Sequence, residues 1–426
     1  MKKSIIIILV FILLIGAFFI MKNIINIDTE QQKQQIFDEE MFINGSKNIK
    51  DLQTGDSYTV ILYEDGSVWV AGANYHYSSR NGYQYGMQVE KFSKLKLNNI
   101  EQIAVGSNFV IALDKDGYIY SWGGNEYGQL GRNTINDISD IPTKLEVENI
   151  KKIYVNNFQV VALSNDNTAY YFGYASNSKY YNGENKILKI DNYEITDVFL
   201  TGYRYYFKTS EKDKYLVVGH SCGGITDQIN GWAREPVEIE ISNVSKIVGY
   251  PNIDEDFIIK NDGNVYSIKT KESKEIKETD FNKYITNIKD IIFTEYTKSN
   301  EGYTYFAIDE KNNLYYKSTF VLDNINIVAN GIENRNNLLL KQDGTVYNMG
   351  FTIDNLSETE PYTDYFTIQA KKINIENVKI VSVAKKYAII VDNNNTIYRL
   401  GKSDNGALGI KADETIKEFN STNRYR

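Results

Sequence analysis

The chain returns repeatedly to one order of apolar and polar positions. From Asn99 it reads Asn-Ile-Glu-Gln-Ile-Ala-Val-Gly, then an apolar run from Phe109 to Leu113, then Asp-Lys-Asp-Gly, then Tyr118 to Gly123. Shifted back by 51 residues, Asn48, Ile49, Leu52, Gly55, Tyr58, Leu62, Asp65, Gly66, Val68, Trp69 and Gly72 fall on the same positions. Shifted forward by 50, Asn149, Ile150, Ile153, Leu163, Asp166, Asn167, Tyr170, Phe172 and Gly173 do so. Asn377, Val378, Val381, Leu400 and Gly401 repeat the pattern at a shift of 278. Runs of β-branched and aromatic residues of this length predict strands. The Asp-Gly between two of them predicts a hairpin turn of type I′. A period near 50 residues implies units that bury their apolar faces only against neighbours.

Each unit supplies four strands. Val110–Leu113 and Tyr118–Trp122 flank the Asp116-Gly117 turn, Ile103 to Gly106 gives a third strand, and the stretch around Pro142 to Val147 gives a fourth. Four antiparallel strands per unit, repeated around a circle, predict an all-β fold, a β-propeller. Turn anchors fall at Gly66, Gly117, Asn167, Asp213, Gly263, Asn312, Gly344 and Asn395. Most intervals are 46 to 51 residues, but Asn312 to Gly344 is only 32. That short interval has room for three strands, so the count favours seven blades, with eight as the alternative. The first cassette lacks upstream strands and the last lacks a downstream hairpin, which predicts closure of the ring through one blade shared by both ends.

Trp122-Gly123-Gly124-Asn125-Glu126-Tyr127-Gly128-Gln129-Leu130-Gly131 is a distinctive strand exit, with a weaker copy from Gly401 to Gly409. In these residues the chain resembles the regulator-of-chromosome-condensation repeat family, in the form of a bacterial membrane-anchored or secreted member. The resemblance spans about Ile49 to Ile410 and is loose between Tyr174 and Asp343. It implies a propeller fold and, from the family's founding member, guanine-nucleotide exchange on a small GTPase. Kelch blades would need a double glycine in each unit, and here Gly123-Gly124 and Gly223-Gly224 are isolated; WD blades would need a Trp-Asp strand end, which does not occur.

The N-terminus changes the picture of where such a propeller would sit. Lys2 and Lys3 precede Ser4 to Met21, which carries no charge. A helix of that length rises about 27 Å, close to the hydrocarbon thickness of a bilayer. No small-x-small cleavage site follows Ala17, so an uncleaved anchor is expected, with the basic residues inside and the propeller outside the cytoplasm. The domain reading is therefore 1–21 signal anchor or transmembrane helix, 22–47 polar spacer, 48–412 propeller and 413–426 C-terminal tail. Net charge is −8 over 426 residues, and duplex DNA binding, which needs a basic face, is not expected. The single Cys222 forbids an intrachain disulfide. The 34 Tyr are expected to fill the wedges between blades while keeping their hydroxyls wet.

Candidate chemistry is sparse. His220 and Cys222 stand two apart on a strand exit and project in parallel, and His76 has no partner. Asp114-Lys115-Asp116-Gly117 resembles the opening of a calcium loop but runs directly into a strand, lacking the distal ligands. Gly123 to Gly131 lacks the Gly-Lys-Ser/Thr ending of a phosphate loop. No catalytic, cofactor-binding or metal-ligating residue is expected, and no cofactor. The expected function is a monomeric, non-enzymatic scaffold at the outer membrane face that binds a protein or surface glycan. Recognition is expected in the loops Asn74 to Gly86, Tyr174 to Gly183 and Ser221 to Trp232, through Tyr75, Tyr77, Tyr83, Tyr85 and Trp232. The alternatives are exchange activity on a small GTPase, or a glycan-active enzyme marked by carboxylates clustered at the channel mouth.

Overall fold

A computed structural model describes residues 36–420, apart from 79–81, 133–137, 175–186, 203, 221–231, 250–254, 270–275, 280–281, 283–284, 297–302, 331–336, 350–368 and 413. The apolar segment 4–21 and most of the expected spacer lie outside the described residues, as do Cys222 and most of the loops that begin at Tyr174 and Ser221. Among the described residues no helix is long and apolar enough to cross a membrane.

Eight four-stranded antiparallel sheets follow one another along the chain. They span residues 49–94, 100–144, 150–189, 195–240, 244–278, 288–322, 325–372 and 378–420, numbered here as blades 1 to 8. The first strand of each blade is innermost, and these strands neighbour one another around a central channel. The ring therefore has eight blades rather than the favoured seven. The short interval from Asn312 to Gly344 arises because only Lys317 and Ser318 separate the third strand of blade 6, Leu314–Tyr316, from its fourth, Thr319–Leu322. No strand is missing; a connection is merely tight.

The hairpin turns differ from type I′, which would need positive φ at both central residues. In blade 2 the Gly117 N–H bonds the Asp114 carbonyl at 3.1 Å and the Asp114 N–H bonds the Tyr118 carbonyl at 2.9 Å. Only the last turn residue takes positive φ: Gly117 at 83°, and likewise Gly66, Asn167, Asp213, Gly263, Asn312, Gly344 and Asn395. This is a type I turn closed by a left-handed residue, the pattern of a three-residue hairpin loop. The Asp114 carboxylate favours it by accepting the N–H groups of Asp116 and Tyr118 at 3.0 and 2.9 Å. At the far end of the same strand Gly123 takes φ 110°, and a Cβ there would stand 2.5 Å from the Asn108 carbonyl oxygen. Only glycine lets the chain leave the sheet at that point.

Each apolar cluster takes side chains from two neighbouring blades. Phe109, Ile111 and Ile119 of blade 2 pack with Val160, Ala162 and Phe172 of blade 3. The tyrosine hydroxyls in these wedges are not wet, contrary to expectation. Tyr387 of blade 8 is fully buried and donates to the Tyr58 carbonyl of blade 1 at 2.7 Å. Tyr58 donates in turn to the Phe109 carbonyl of blade 2, and Tyr205 of blade 4 to the Phe172 carbonyl of blade 3 at 2.7 Å. Burial pushes the Tyr58 phenol well above its ordinary pKa.

Main-chain bonds also tie the blades together. The first strand of a blade donates its leading N–H to the turn carbonyl of the blade before it: Ile100 to Gly66, Ile150 to Gly117, Ile195 to Asn167, Ile288 to Gly263, Ile325 to Asn312 and Val378 to Gly344. At the junction of blades 8 and 1 a side chain replaces that carbonyl. The Ile49 N–H bonds Asn395 Oδ1 at 2.8 Å, and Lys379 Nζ reaches both Asn395 Oδ1 at 2.7 Å and the Ile49 carbonyl at 2.8 Å.

The ring closes without a shared blade, because blades 1 and 8 are each built from one continuous segment. What crosses the junction is a strap, residues 36–46, taken from the expected spacer. Phe37 bridges Leu95 beyond the outer strand of blade 1. Phe42 enters the wedge between blades 8 and 1, with ring centroids 5.7 Å from Trp69 and 4.8 Å from Phe92. Asn44 then pairs with blade 8, giving Nδ2 to the Ile397 carbonyl at 3.1 Å and accepting the Ile397 N–H at 2.8 Å. The expected C-terminal tail is also corrected: Thr415–Asn420 is the outer strand of blade 8, so the propeller runs through Asn420.

Candidate binding face

Antiparallel order sends the eight short turns to one face of the disc, which the interblade bonds from turn to strand start confirm around the ring. The third strand of each blade ends, and the fourth begins, on the opposite face, and the sequence between those ends varies in length. In sequence the intervals between those strands are residues 73–88 in blade 1, 125–137 in blade 2, 174–187 in blade 3, 221–231 in blade 4 and 350–370 in blade 7. Length variation is thus concentrated on this loop face, as expected of a surface free to change without disturbing the core.

Among the described residues, one sector of this face spans blades 1 to 3. The blade 1 connection carries an inserted two-stranded hairpin, Tyr75–Ser78 paired with Gly82–Tyr85. Its base is fixed by the Gly86 N–H on the Asn74 carbonyl at 2.9 Å and the Met87 N–H on Asp140 Oδ2 at 2.7 Å. Burial raises the Asp140 pKa, partly offset by the bonds from Met87 and Asn74. In blade 2 the Trp122–Gly131 exit is a self-bonded turn. Asn125 Oδ1 accepts the Leu130 N–H at 2.9 Å, Gln129 Oε1 accepts the Tyr127 N–H at 2.8 Å, and Gln129 Nε2 donates to Asn108 Oδ1 at 3.1 Å. Tyr127 is thereby held against blade 3, 4.8 Å from the Phe158 ring and 5.0 Å from that of Tyr174. All three rings are half-buried.

The remaining candidates resolve differently. The Asp114 carboxylate is occupied by turn N–H groups and, at 3.3 Å, by the Tyr120 hydroxyl, which leaves no calcium loop. His76 pairs with Gln84 inside the hairpin, and His220 ends its strand opposite Trp232. Among the described residues no group of three His, Cys, Asp or Glu could hold a metal ion.

Among the described residues at the third position of the inner strands, no two carboxylates stand on adjacent blades. At the third position of the inner strands stand Asp51, Gln102, Lys152, Asp197, Lys246, Asp290, Ile327 and Ile380. Asp51 accepts from Gln53 at 2.8 Å, Asp197 from the Tyr154 hydroxyl at 3.2 Å, and Asp290 pairs with Lys246 at 2.6 Å. Burial raises the Asp51 pKa, but no second carboxylate faces it from a neighbouring blade at this level. A cavity of about 350 Å3 lies against blades 4 to 6, walled by Phe199, Leu200, Val248, Ile292 and Phe293.

Sequence reasoning missed the blade 4–5 junction. Arg204 and Asp256, both essentially unexposed, form a buried ion pair, with Arg204 Nη2 on Asp256 Oδ1 at 2.7 Å and the Tyr206 hydroxyl on Oδ2 at 2.6 Å. Arg204 occupies the strand-start position, opposite the exit glycine, that Tyr58 and Phe109 hold in blades 1 and 2. That substitution was a visible signal.

Residues 100–129 and 116–169 match models of the Regulator of chromosome condensation (RCC1) repeat. Similar stretches occur in the serine/threonine-protein kinase Nek9 of Mus musculus, 31% identical over 94 residues, which cover 21% of this chain and 10% of that protein. The E3 ubiquitin-protein ligase HERC2 of Homo sapiens is 33% identical over 99 residues, covering 22% and 2%. The mitochondrial RCC1 domain-containing protein RUG3 of Arabidopsis thaliana is 31% identical over 99 residues, covering 23% and 22%. The chain thus spans less than a quarter of each of these relatives. Among solved structures, Prp20p from Saccharomyces cerevisiae superposes with a TM-score of 0.49 at 16% identity, covering 93% of this chain and 89% of that one. Residues 100–169, in blades 2 and 3, thus carry repeats of the regulator of chromosome condensation type.

Proposed function

We propose that this protein is a non-enzymatic recognition scaffold that binds a protein partner through the loop face, held at the outer face of the cell membrane by residues 4–21. The observation that carries this reading is the division of labour between the faces. Turns and channel residues are engaged in joining blades, whereas the long connections are free to differ from one blade to the next. The uncharged run from Ser4 to Met21, preceded by Lys2 and Lys3, supports the tether. The strap joins the disc on the turn side, where Lys47 reaches Asp65 at 3.2 Å, so a tether through residues 22–35 would leave the loop face directed away from the lipid.

The test is site-specific photo-crosslinking in native membranes. Crosslinkers at Tyr127 and Ser139 on the loop face should trap a discrete protein, and those at Asp262 and Asp343 on the turn face should not. Equal trapping from both faces, or none from Tyr127 and Ser139, would reject the assignment. Exchange activity on a small GTPase, which the repeat type suggests, is the second reading, and release of labelled nucleotide from GTPases mixed with the protein tests it.

A further inference from the structure

We propose that the channel cavity against blades 4 to 6 binds a free α-amino acid with a large apolar side chain, independently of any partner on the loop face. The cavity, of about 350 Å3, is bounded by the third to sixth residues of three inner strands, Ile195–Leu200, Val244–Gly249 and Ile288–Tyr296. That volume lies at the small end of ligand sites and, at one water volume per atom, holds on the order of a dozen non-hydrogen atoms. Its walls are Phe199, Leu200, Val248, Ile292 and Phe293. Only two lining residues are charged, Lys246 and Asp290. Both come from the third strand position, at the end nearer the hairpin turns. An apolar cavity with its charge confined to one end selects a ligand divided in the same way.

The charged end has bonding capacity to spare. Lys246 Nζ meets Asp290 Oδ1 at 2.6 Å, and the same oxygen accepts the Ile291 N–H at 2.8 Å. Among the described residues Asp290 Oδ2 has no partner, and one of the three donors of the Lys246 ammonium is used. The pair is open to the channel, with the two side chains 42% and 26% exposed. It therefore presents an acceptor for an ammonium group beside donors for a carboxylate, the arrangement of an α-amino acid backbone.

The surrounding charges favour a zwitterion over an ion of either sign. In the inner strands of blades 4 to 6, Asp197 and Asp290 balance Lys246 and Lys289 up to the sixth position. Asp197 Oδ1 accepts the Tyr154 hydroxyl at 3.2 Å and the Val198 N–H at 2.9 Å, and Lys289 donates to Asn312 Oδ1 at the turn. Lys152 of blade 3 lies over the Tyr154 ring, 4.4 Å from its centroid. A lone amine or a lone carboxylate would unbalance this set, whereas a zwitterion leaves its sum unchanged. At the opposite end the cavity adjoins two incomplete polar groups. Thr201, 1% exposed, follows Leu200, and Asn330 gives Nδ2 to the Phe293 carbonyl at 2.9 Å. Neither Thr201 Oγ1 nor Asn330 Oδ1 has a hydrogen-bond partner among the described residues. Buried polar atoms are rarely left so, and a bound molecule or water completes them.

Calorimetric titration of the full-length protein in detergent with phenylalanine, tyrosine, tryptophan and leucine tests the proposal. Saturable binding of at least one is expected, and none of glycine, which lacks the apolar group. Removing either the carboxylate or the ammonium from the amino acid that binds should weaken it by about tenfold or more, the scale of one charge-assisted hydrogen bond. Lys246→Met and Asp290→Asn should each do the same. If these variants lower Tm by parting blades 5 and 6, Ile292→Trp decides, since it fills the cavity and leaves both charges in place; it should abolish binding. No binding of any of the four, equal binding of an analogue lacking one charged group, or undiminished binding by folded Ile292→Trp would overturn the proposal.

Discussion

Asp114, Asp309 and Asp392 show how one residue type can look chemical in sequence and be structural in the fold. Each stands just before a hairpin turn, each carboxylate accepts two turn N–H groups, and each receives a tyrosine hydroxyl from the following strand at 3.2 to 3.3 Å. At least three of the roughly four lone-pair positions of each carboxylate are thereby engaged. The Arg204–Asp256 pair is the opposite case, in which charge is buried at a position that blades 1, 2 and 8 fill with Tyr58, Phe109 and Tyr387. A buried pair contributes little relative to an apolar replacement, but removing one partner leaves the other charge stranded. Asp256→Ala is therefore expected to cost about 3–5 kcal/mol, whereas the double variant Arg204→Met, Asp256→Leu should recover most of that loss. Urea midpoints of the three proteins check this, and a double variant no better than the single one would show that the pair itself holds blade 4 to blade 5. Strand-exit glycines are equally position-bound. Gly123→Ala would drive a methyl group against the Asn108 carbonyl at φ 110°, and a loss of about 2 kcal/mol or more is expected in the same measurement.

At the scale of elements, strands and turns were legible in the sequence because each blade repeats the same local chemistry. Alternation and Asp-Gly locate the hairpins without reference to the rest of the chain. The turn type was misread because the dipeptide alone does not reveal that the preceding Asp carboxylate holds two residues in the right-handed region. The blade count was misread for a different reason. Spacing measures connections as well as strands, and the Lys317-Ser318 link shortened one interval without removing a strand. The strap was illegible, since residues 36–46 repeat nothing and their partners, Trp69, Phe92 and Ile397, lie far along the chain. Within the candidate face, the Tyr-rich stretch 74–86 was legible from composition, but the Tyr127, Phe158 and Tyr174 cluster arises from three separate loops brought together only by blade packing. Phe42 is 8% exposed, whereas its neighbours Met41 and Ile43 are 80% and 60% exposed, so one side chain anchors the strap. Phe42→Ala should cost about 3–5 kcal/mol, the usual range for emptying a buried aromatic site, and Met41→Ala should be close to neutral. Thermal unfolding of the two variants distinguishes an anchoring strap from an incidental contact.

For the whole molecule, the decisive feature is a ring whose last junction differs from the others. Six of the junctions between successive blades carry a main-chain bond from the first strand to the preceding turn, and blades 4 and 5 share the buried ion pair. Blades 8 and 1 have neither. They rely on the Asn395 amide, the Lys379 ammonium, which burial makes easier to deprotonate than an ordinary lysine, the buried Tyr387 and Thr59 hydroxyls that donate across the junction, and the strap that bridges them. Proteins built of repeats are stabilised mainly by nearest-neighbour interfaces, so weakening one interface acts first on the units it joins. Local opening free energies can differ across such a structure. Removing residues 36–46 should therefore raise amide hydrogen exchange in Val378–Val383, Tyr387–Asp392 and Ile49–Thr54. Gln159–Ser164 and Arg204–Thr209, half a ring away, should keep their protection. If exchange rose equally in all five strands, the disc would be opening as a single cooperative unit and the strap would have no special place in its closure. If it rose nowhere, the contacts of Asn395, Lys379 and Tyr387 would suffice to close the ring, and the strap would be dispensable for closure.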